Sequence, residues 1–593
     1  MNRRDLRMLL VAAVFGFLHV ATVAAQEPAF DILLRGGRVL DGTGNPWYRA
    51  DVGIRGGRIA RVGDLADATA GRVIELDGRY VVPGFIDIHS HADQGLDEAG
   101  GAGSEGARRR AAPNLVSQGV TTVVVNQDGR SPWPIADQRA RLESRGHGPN
   151  AALMVGHNTI RAMALGDDVM RPSTPAEVER MTELVEQGMA EGAYGLSAGL
   201  EYFPGIWSET SELFPLVEAA GRGGGLYIVH ERSSGMTPMW FWPSQDDPGP
   251  PTMIETIIED IEVAERTGVT TVATHIKARG SDFWGAGRAL VDLIERARAR
   301  GVPIWADQYP YNTTGSDGST VLLPRWIFPG GGFGGGPRSR EAVDYASRLT
   351  EALGDPLRSE EVRLDIAHEI GRRGGPENLV VMDHPDETLV GKTVAELAAE
   401  WNAFPVDVAI RLQLEGYRTR PGGARLRGFS LSEIDVEEFS AHPWLVTASD
   451  AGIALPDDGP VHARFYGTFP RKIKRYAMDL DVLSVESAVR SMTSLPAQLM
   501  GIRNRGLIRE GLVADIAVLD LDELQDHATF FEPHQYPSGV DFVLVAGTFV
   551  VDEGELTWAL PGVVLTPGAG GEASADEESS TDEESSTDEA AGC

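Results

Sequence analysis

Residues 85–91 read Phe-Ile-Asp-Ile-His-Ser-His. A short apolar run closes on two histidines two positions apart. Side chains of an extended strand repeat every second residue, so His89 and His91 point the same way. That makes them a natural pair of ligands for one metal ion. Working outward, similar runs rich in Val, Ile and Thr recur at 120–125, 151–156, 193–198, 225–230, 269–275, 303–308 and 445–450. Amphipathic helical patterns lie between several of them. Ile254, Ile257, Ile258, Ile261 and Ala264 share one helix face before Gly268, and Leu290, Leu293, Ile294 and Ala297 share another before Gly301. Nearly continuous apolar strands alternating with helices predict an α/β fold, a parallel sheet buried on both faces. Eight such units predict a closed (β/α)8 TIM-like barrel.

Catalytic groups of such barrels sit at the C-terminal ends of strands. Here the fifth run ends in His230, the sixth in His275 and the eighth in Asp450, while Asp128 follows the second. A lone histidine at a strand end is most often structural, and a lone aspartate there is most often a cap or turn residue. The joint pattern is far more specific. Imidazole and carboxylate together suit Zn²⁺ and related divalent ions, bound as one or two ions.

The flanks differ from the barrel. Residues 29–83 and 503–562 read as short strands with Gly-rich turns, and together they predict one small β-sandwich built from both ends of the chain. The barrel then spans 84–502, with an insertion at about 320–442 whose Gly-rich piece, 330–336, reads as a flexible loop. Residues 1–25 hold Arg3, Arg4 and Arg7, an apolar run and a small-residue site at Val23-Ala24-Ala25. This predicts a signal peptide, of twin-arginine type, and a protein exported to the periplasm or beyond, with no stable membrane span after cleavage. Residues 566–593 carry nine acidic and no basic residues, which predicts a disordered acidic tail.

The 593 residues include 53 Lys and Arg against 87 Asp and Glu, a formal charge of −34. Such acidity argues against a nucleic-acid partner and against an anionic membrane surface. The one cysteine is Cys593, so internal disulfides and Cys-based zinc sites are excluded. Gly391-Lys392-Thr393 imitates the end of a phosphate loop, but Asp386 stands where its first glycine belongs. His157 closes the third run and reads as a residue that either backs the ligands or is structural.

Longer motifs carry a resemblance. They include Gly42-Thr43-Gly44, Val82-Pro83-Gly84-Phe85-Ile86-Asp87-Ile88-His89-Ser90-His91, Gly195-Leu196-Ser197-Ala198-Gly199-Leu200-Glu201-Tyr202, Thr274-His275-Ile276-Lys277, Tyr309-Pro310-Tyr311 and Gly467-Thr468-Phe469-Pro470-Arg471. In these the chain resembles the metal-dependent amidohydrolases, and within them the N-acyl-D-amino-acid deacylases. The resemblance implies that His89 and His91 hold one metal position, that His230 and His275 hold the other, and that Asp450 is both a metal contact and the catalytic acid/base. Asp128 stands where the family carries a metal-binding cysteine, a harder ligand that bears on metal identity and number. Arg464 matches the family's carboxylate-binding arginine, and Tyr202 and Tyr309 match substrate-pocket positions. Lys277, two residues past His275, is placed to point into the same mouth. The implied reaction is hydrolysis of a linear amide in a small N-acyl amino acid, by a water activated on a divalent ion. The alternatives are a dipeptidase, a cyclic-amide hydrolase, or a relative that binds without catalysis. The fourth run has no lysine for carboxylation, which weakens the hydantoinase reading.

Overall fold

A computed structural model describes residues 28–315, 320–328 and 343–568. The signal segment, the Gly-rich piece at 330–336 and all but the first three residues of the acidic tail lie outside the described residues. Among the described residues, no helix is long and apolar enough to cross a membrane.

Eight parallel strands form the barrel. In order they are Phe85–Asp87, Val120–Val125, Asn150–Leu153, Gly195–Gly199, Leu226–His230, Thr271–Ala273, Ile304–Gln308 and Leu445–Thr447. The third strand continues past Met154 as Val155–Gly156 and there pairs with the fourth. The circle closes where Ala451 and Gly452 pair in parallel with Ser90 and His91. Every strand or its lead-in sends an apolar side chain to the barrel interior, among them Ile86, Val124, Ala152, Tyr194, Ile228, Val272, Trp305 and Val446. The interior is therefore a packed core, and the mouth is left for chemistry.

The outer helices follow the sequence pattern. Met253–Thr267 begins with a capping box, Thr252 with Glu255, and ends at Gly268 with φ +66°. The side-chain oxygens at its start satisfy amides that the first turn leaves unpaired, and glycine adopts the left-handed cap at its end at little cost. Gly287–Ala299 buries Leu290, Val291, Ile294 and Ala297.

The two ends of the chain meet in one nine-stranded sheet. Tyr80–Pro83 pairs antiparallel with Ile516–Leu519, and Phe30–Val39 pairs with Tyr48–Arg55. The period of two divides its faces. Ile516, Val518, Phe542 and Leu544 join Ile32, Leu34, Val52 and Ile54 in the sheet's own core. Ala517, Leu519, Val543 and Val545 turn the other way and pack with Val120 and Phe469 of the barrel.

The insertion between the seventh and eighth strands has its own core, with Leu349, Val362, Ile366, Leu379, Leu397, Val408 and Leu426. It comprises helices Tyr345–Gly354, Pro356–Arg372, Val394–Trp401 and Pro405–Glu415 and an antiparallel pair, Leu379–Asp383 with Arg425–Gly428. Glu433–Ser440 then returns to the barrel, where Asp435 accepts from the Gly287 amide at 2.8 Å.

Candidate active site

Five strand ends converge at the mouth. Asp128 and Asp450 stand between the histidines. His91 Nε2 lies 3.1 Å from Asp450 Oδ1 and 3.5 Å from Asp128 Oδ2. His89 Nε2 lies 3.6 Å from Asp128 Oδ1 and 3.8 Å from Asp450 Oδ1. His230 Nδ1 lies 3.4 Å from Asp128 Oδ1. The rings of His230 and His275 meet edge to face with centroids 4.5 Å apart. His91 and Asp128 are half-buried and the others are buried.

The backbone is strained at three of these strand ends. Asn126, Asp128, His275 and Asp450 all have positive φ, of 69°, 57°, 35° and 49°. Each such non-glycine residue costs of order 1–3 kcal/mol, and such costs collect at functional sites. Gly129 follows Asp128 with φ +75°, and a Cβ there would sit 2.1 Å from Asn158 Oδ1. Only glycine lets the chain turn that tightly behind the Asp128 carboxylate.

Two sets of donor atoms each lie within 4.8 Å of one another: His89, His91 and Asp450, and His89, Asp128 and His275. The sets overlap at His89, and His230 joins them through Asp128. Asp128 stands at the centre of the ligand set implied by the resemblance and faces His89, His91 and His230 together. His89 Nε2, Asp128 Oδ1 and His230 Nδ1 are buried with no hydrogen-bond partner among the described residues. Unpaired buried polar atoms of this kind are costly unless something satisfies them. Converging imidazole and carboxylate atoms with spare lone pairs fit a divalent cation.

The charges suit that task. Burial alone would raise both carboxyls, but His230 and His91 hold Asp128, and Arg464 with His91 holds Asp450, well below the usual carboxylate range. Burial disfavours the charged form of His275, and the neighbouring Lys277 and His230 push it further down. Both acids are thus ionised and His275 is neutral, the forms that bind metal. The same carboxylates outweigh burial and push His91 up and His230 up to about 9, protons that a bound cation would displace.

Of the substrate residues expected from sequence, Arg464 donates from Nη1 to Asp450 Oδ2 at 2.7 Å and lies over the Tyr309 ring, 4.6 Å from its centroid. Lys277 Nζ is 2.6 Å from His275 Nδ1 and 3.9 Å from Glu231. The Tyr202 ring lies 4.2 Å from that of His230. Sequence reasoning missed four buried residues that contact this cluster. Glu201 accepts from His230, Arg279 and the Met239 amide, Glu231 faces Lys277, and Asp307 accepts from the His275 amide at 2.7 Å. A carboxylate inside an otherwise apolar strand was the available signal for Asp307. Glu201 lies inside a quoted motif, but no spacing rule marks it.

His157 sits in a separate buried cluster, bonded to Glu212 at 2.8 Å. Thr393 of the phosphate-loop imitation caps a helix with Glu396, and Lys392 pairs with Glu400.

A closed parallel barrel with histidines and carboxylates at its mouth defines the frame of a metal-dependent enzyme. The amidohydrolase family model matches residues 72–224 and 359–551. An N-acyl-D-glutamate deacylase of Alcaligenes xylosoxydans xylosoxydans is 32% identical over 548 residues, 88% of this chain and 94% of that protein. The structure of a D-aminoacylase with a binuclear metal centre is 30% identical with a TM-score of 0.67, covering 91% of this chain and all of that one. The N-acyl-D-glutamate deacylase of Bordetella bronchiseptica, solved with zinc and a phosphonate mimic of the tetrahedral intermediate, is 28% identical with a TM-score of 0.67 over the same shares. The chain belongs to the amidohydrolase family.

Proposed function

We propose that this protein deacylates N-acyl-D-amino acids, with Zn²⁺ at the mouth of its barrel. One observation carries the substrate class. Arg464 is buried beside Asp450, and its Nε has no acceptor among the described residues. A guanidinium with a spare donor next to the reacting group suits the free carboxylate of an acyl amino acid. The D configuration follows the two kinds of relative named above. Zinc follows the donor set and the Bordetella structure.

His89, His91, His230, His275, Asp128 and Asp450 would hold the metal. A bound divalent ion supplies a Lewis acid and a water acidified from about 15.7 towards 7. The protein's own residues do the rest. Asp450 takes a proton from the attacking water at Oδ1 and delivers it to the leaving nitrogen. Arg464 holds Oδ2 throughout, and Tyr309 lies under its guanidinium. Lys277 adds a second positive charge for the substrate carboxylate. Water adds across the C–N bond, giving a free carboxylate and the amino acid.

The test is a panel of N-acetyl-D- and N-acetyl-L-amino acids, dipeptides and hydantoins on metal-loaded enzyme. Turnover is expected on the N-acetyl-D compounds above all others. Preference for dipeptides or hydantoins would overturn the substrate class. Export is part of the proposal on the strength of residues 1–25 alone, and the cell fraction that holds the mature chain checks it.

A further inference from the structure

The site histidines differ in how their rings are held. The outer nitrogen of His89 is 3.7 Å from Asp307, too far for a good hydrogen bond. The Nδ1 of His275 meets the Lys277 ammonium. His230 turns Nδ1 towards Asp128 and lies 3.2 Å through Nε2 from Glu201 Oε2. Glu201 is only 4% exposed, and it directly follows the fourth strand and Leu200.

Glu201 is itself firmly tied. Its Oε1 accepts from Arg279 Nη2 at 3.2 Å and from the Met239 amide at 2.5 Å. Arg279, also buried, donates to the Thr237 carbonyl at 2.9 Å. The insertion grips the same loop from the other side. Arg372 donates to the Pro238 carbonyl at 2.6 Å, and Thr237 Oγ1 lies 3.1 Å from His368 Nε2. A rigid carboxylate on the far nitrogen of a ligand histidine fixes both ring orientation and tautomer.

We infer that Glu201 is a positioning residue: it takes the Nε2 hydrogen of His230 and so keeps the Nδ1 lone pair aimed at the metal. The inference rests on His230 being a ligand, and the test separates the two claims. Zn²⁺ affinity is measured on the full chain by competition with a chromophoric chelator, for the wild type and for H230N, E201Q and E201Q/R279M. Thermal unfolding of the metal-free forms reports folding alone. The double variant removes both halves of the Glu201–Arg279 pair, so no uncompensated buried charge remains to unfold the protein.

Zn²⁺ binding is expected to weaken roughly 10–100-fold in E201Q. The double variant should bind as weakly as E201Q although its metal-free unfolding temperature approaches that of the wild type. Recovery of wild-type affinity in the double variant would show that Glu201 only balances Arg279, and would overturn the inference. Weakened binding in H230N with wild-type binding in E201Q would overturn it alone. Unchanged binding in H230N would remove His230 from the ligand set and the inference with it.

Discussion

His89 and His157 are both fully buried and both lie at the ends of barrel strands, yet their surroundings are opposite. His157 has a partner on each ring nitrogen, Glu212 at 2.8 Å and Asn158 at 3.2 Å. Among the described residues, His89 has a hydrogen-bond partner on neither. Glu212 is also bonded by Arg161 and by Ser173. One cluster is chemically closed, and the other keeps lone pairs in hand. Position at a strand end therefore does not separate a ligand from a structural histidine. Between these two, spare hydrogen-bonding capacity does, because a buried unsatisfied group costs about 1–3 kcal/mol unless a ligand meets it.

The sharpest way to break this contrast is at Asp450. Asp450→Asn should keep its metal content and lose about 10²–10⁴-fold in kcat, the usual worth of general acid–base help. Near-normal turnover would refute its role. Next come the two histidines themselves. His89→Asn should lose stoichiometric metal, seen by elemental analysis. His157→Gln should keep the metal and lower the unfolding temperature instead. If both lose metal alike, the distinction between open and closed clusters fails. A smaller effect is expected at Arg464→Ala, which should raise KM for N-acyl amino acids by about tenfold, roughly 1.4 kcal/mol, and more than for uncharged amides. Equal changes for both substrates would place Arg464 outside substrate binding.

The smallest effect is a pH dependence in the closed cluster. Burial opposes ionisation of Glu212, but His157 and Arg161 outweigh it and bring its pKa down to about 2. An unfolded glutamate titrates near about 4.3. The folded value is the lower one, so this stabilisation is complete above the unfolded value and fades as pH falls towards 2. The gap in unfolding temperature between wild type and Glu212→Gln should therefore be full at pH 6 and shrink between pH 4.5 and pH 2. A gap that does not change with pH would mean that Glu212 acts only through its shape.

The barrel was largely legible because its signals are local. Each apolar run at 120–125, 225–230 and 303–308 lies on an observed strand, and Gly268 ends its helix as the spacing implied. His89 and His91 were legible for the same reason, through a period of two. Asp128 was legible as an acid just past the second run, but an aspartate before a glycine reads equally well as a turn, and the family motif singled it out. Glu201 and Arg279 were not legible, and Asp307 showed only as a carboxylate inside an apolar run. Their partners come from other strand ends and from the loop after the fifth strand, and no sequence spacing connects Glu201 to His230. The overlap of the two donor sets at His89 was hidden too, because it depends on where the Asp128 side chain sits in space.

The sheet shared by both ends of the chain gives folding an unusual timetable. Tyr80–Pro83 is made early, and its antiparallel neighbour Ile516–Leu519 leaves the ribosome only after the whole barrel. At about 5–20 residues per second, that wait is roughly 20–90 s. During it an apolar strand edge stands open to any passing chain. The domain begun first is finished last, and nascent chains stalled short of residue 516 should be the form most in need of a chaperone.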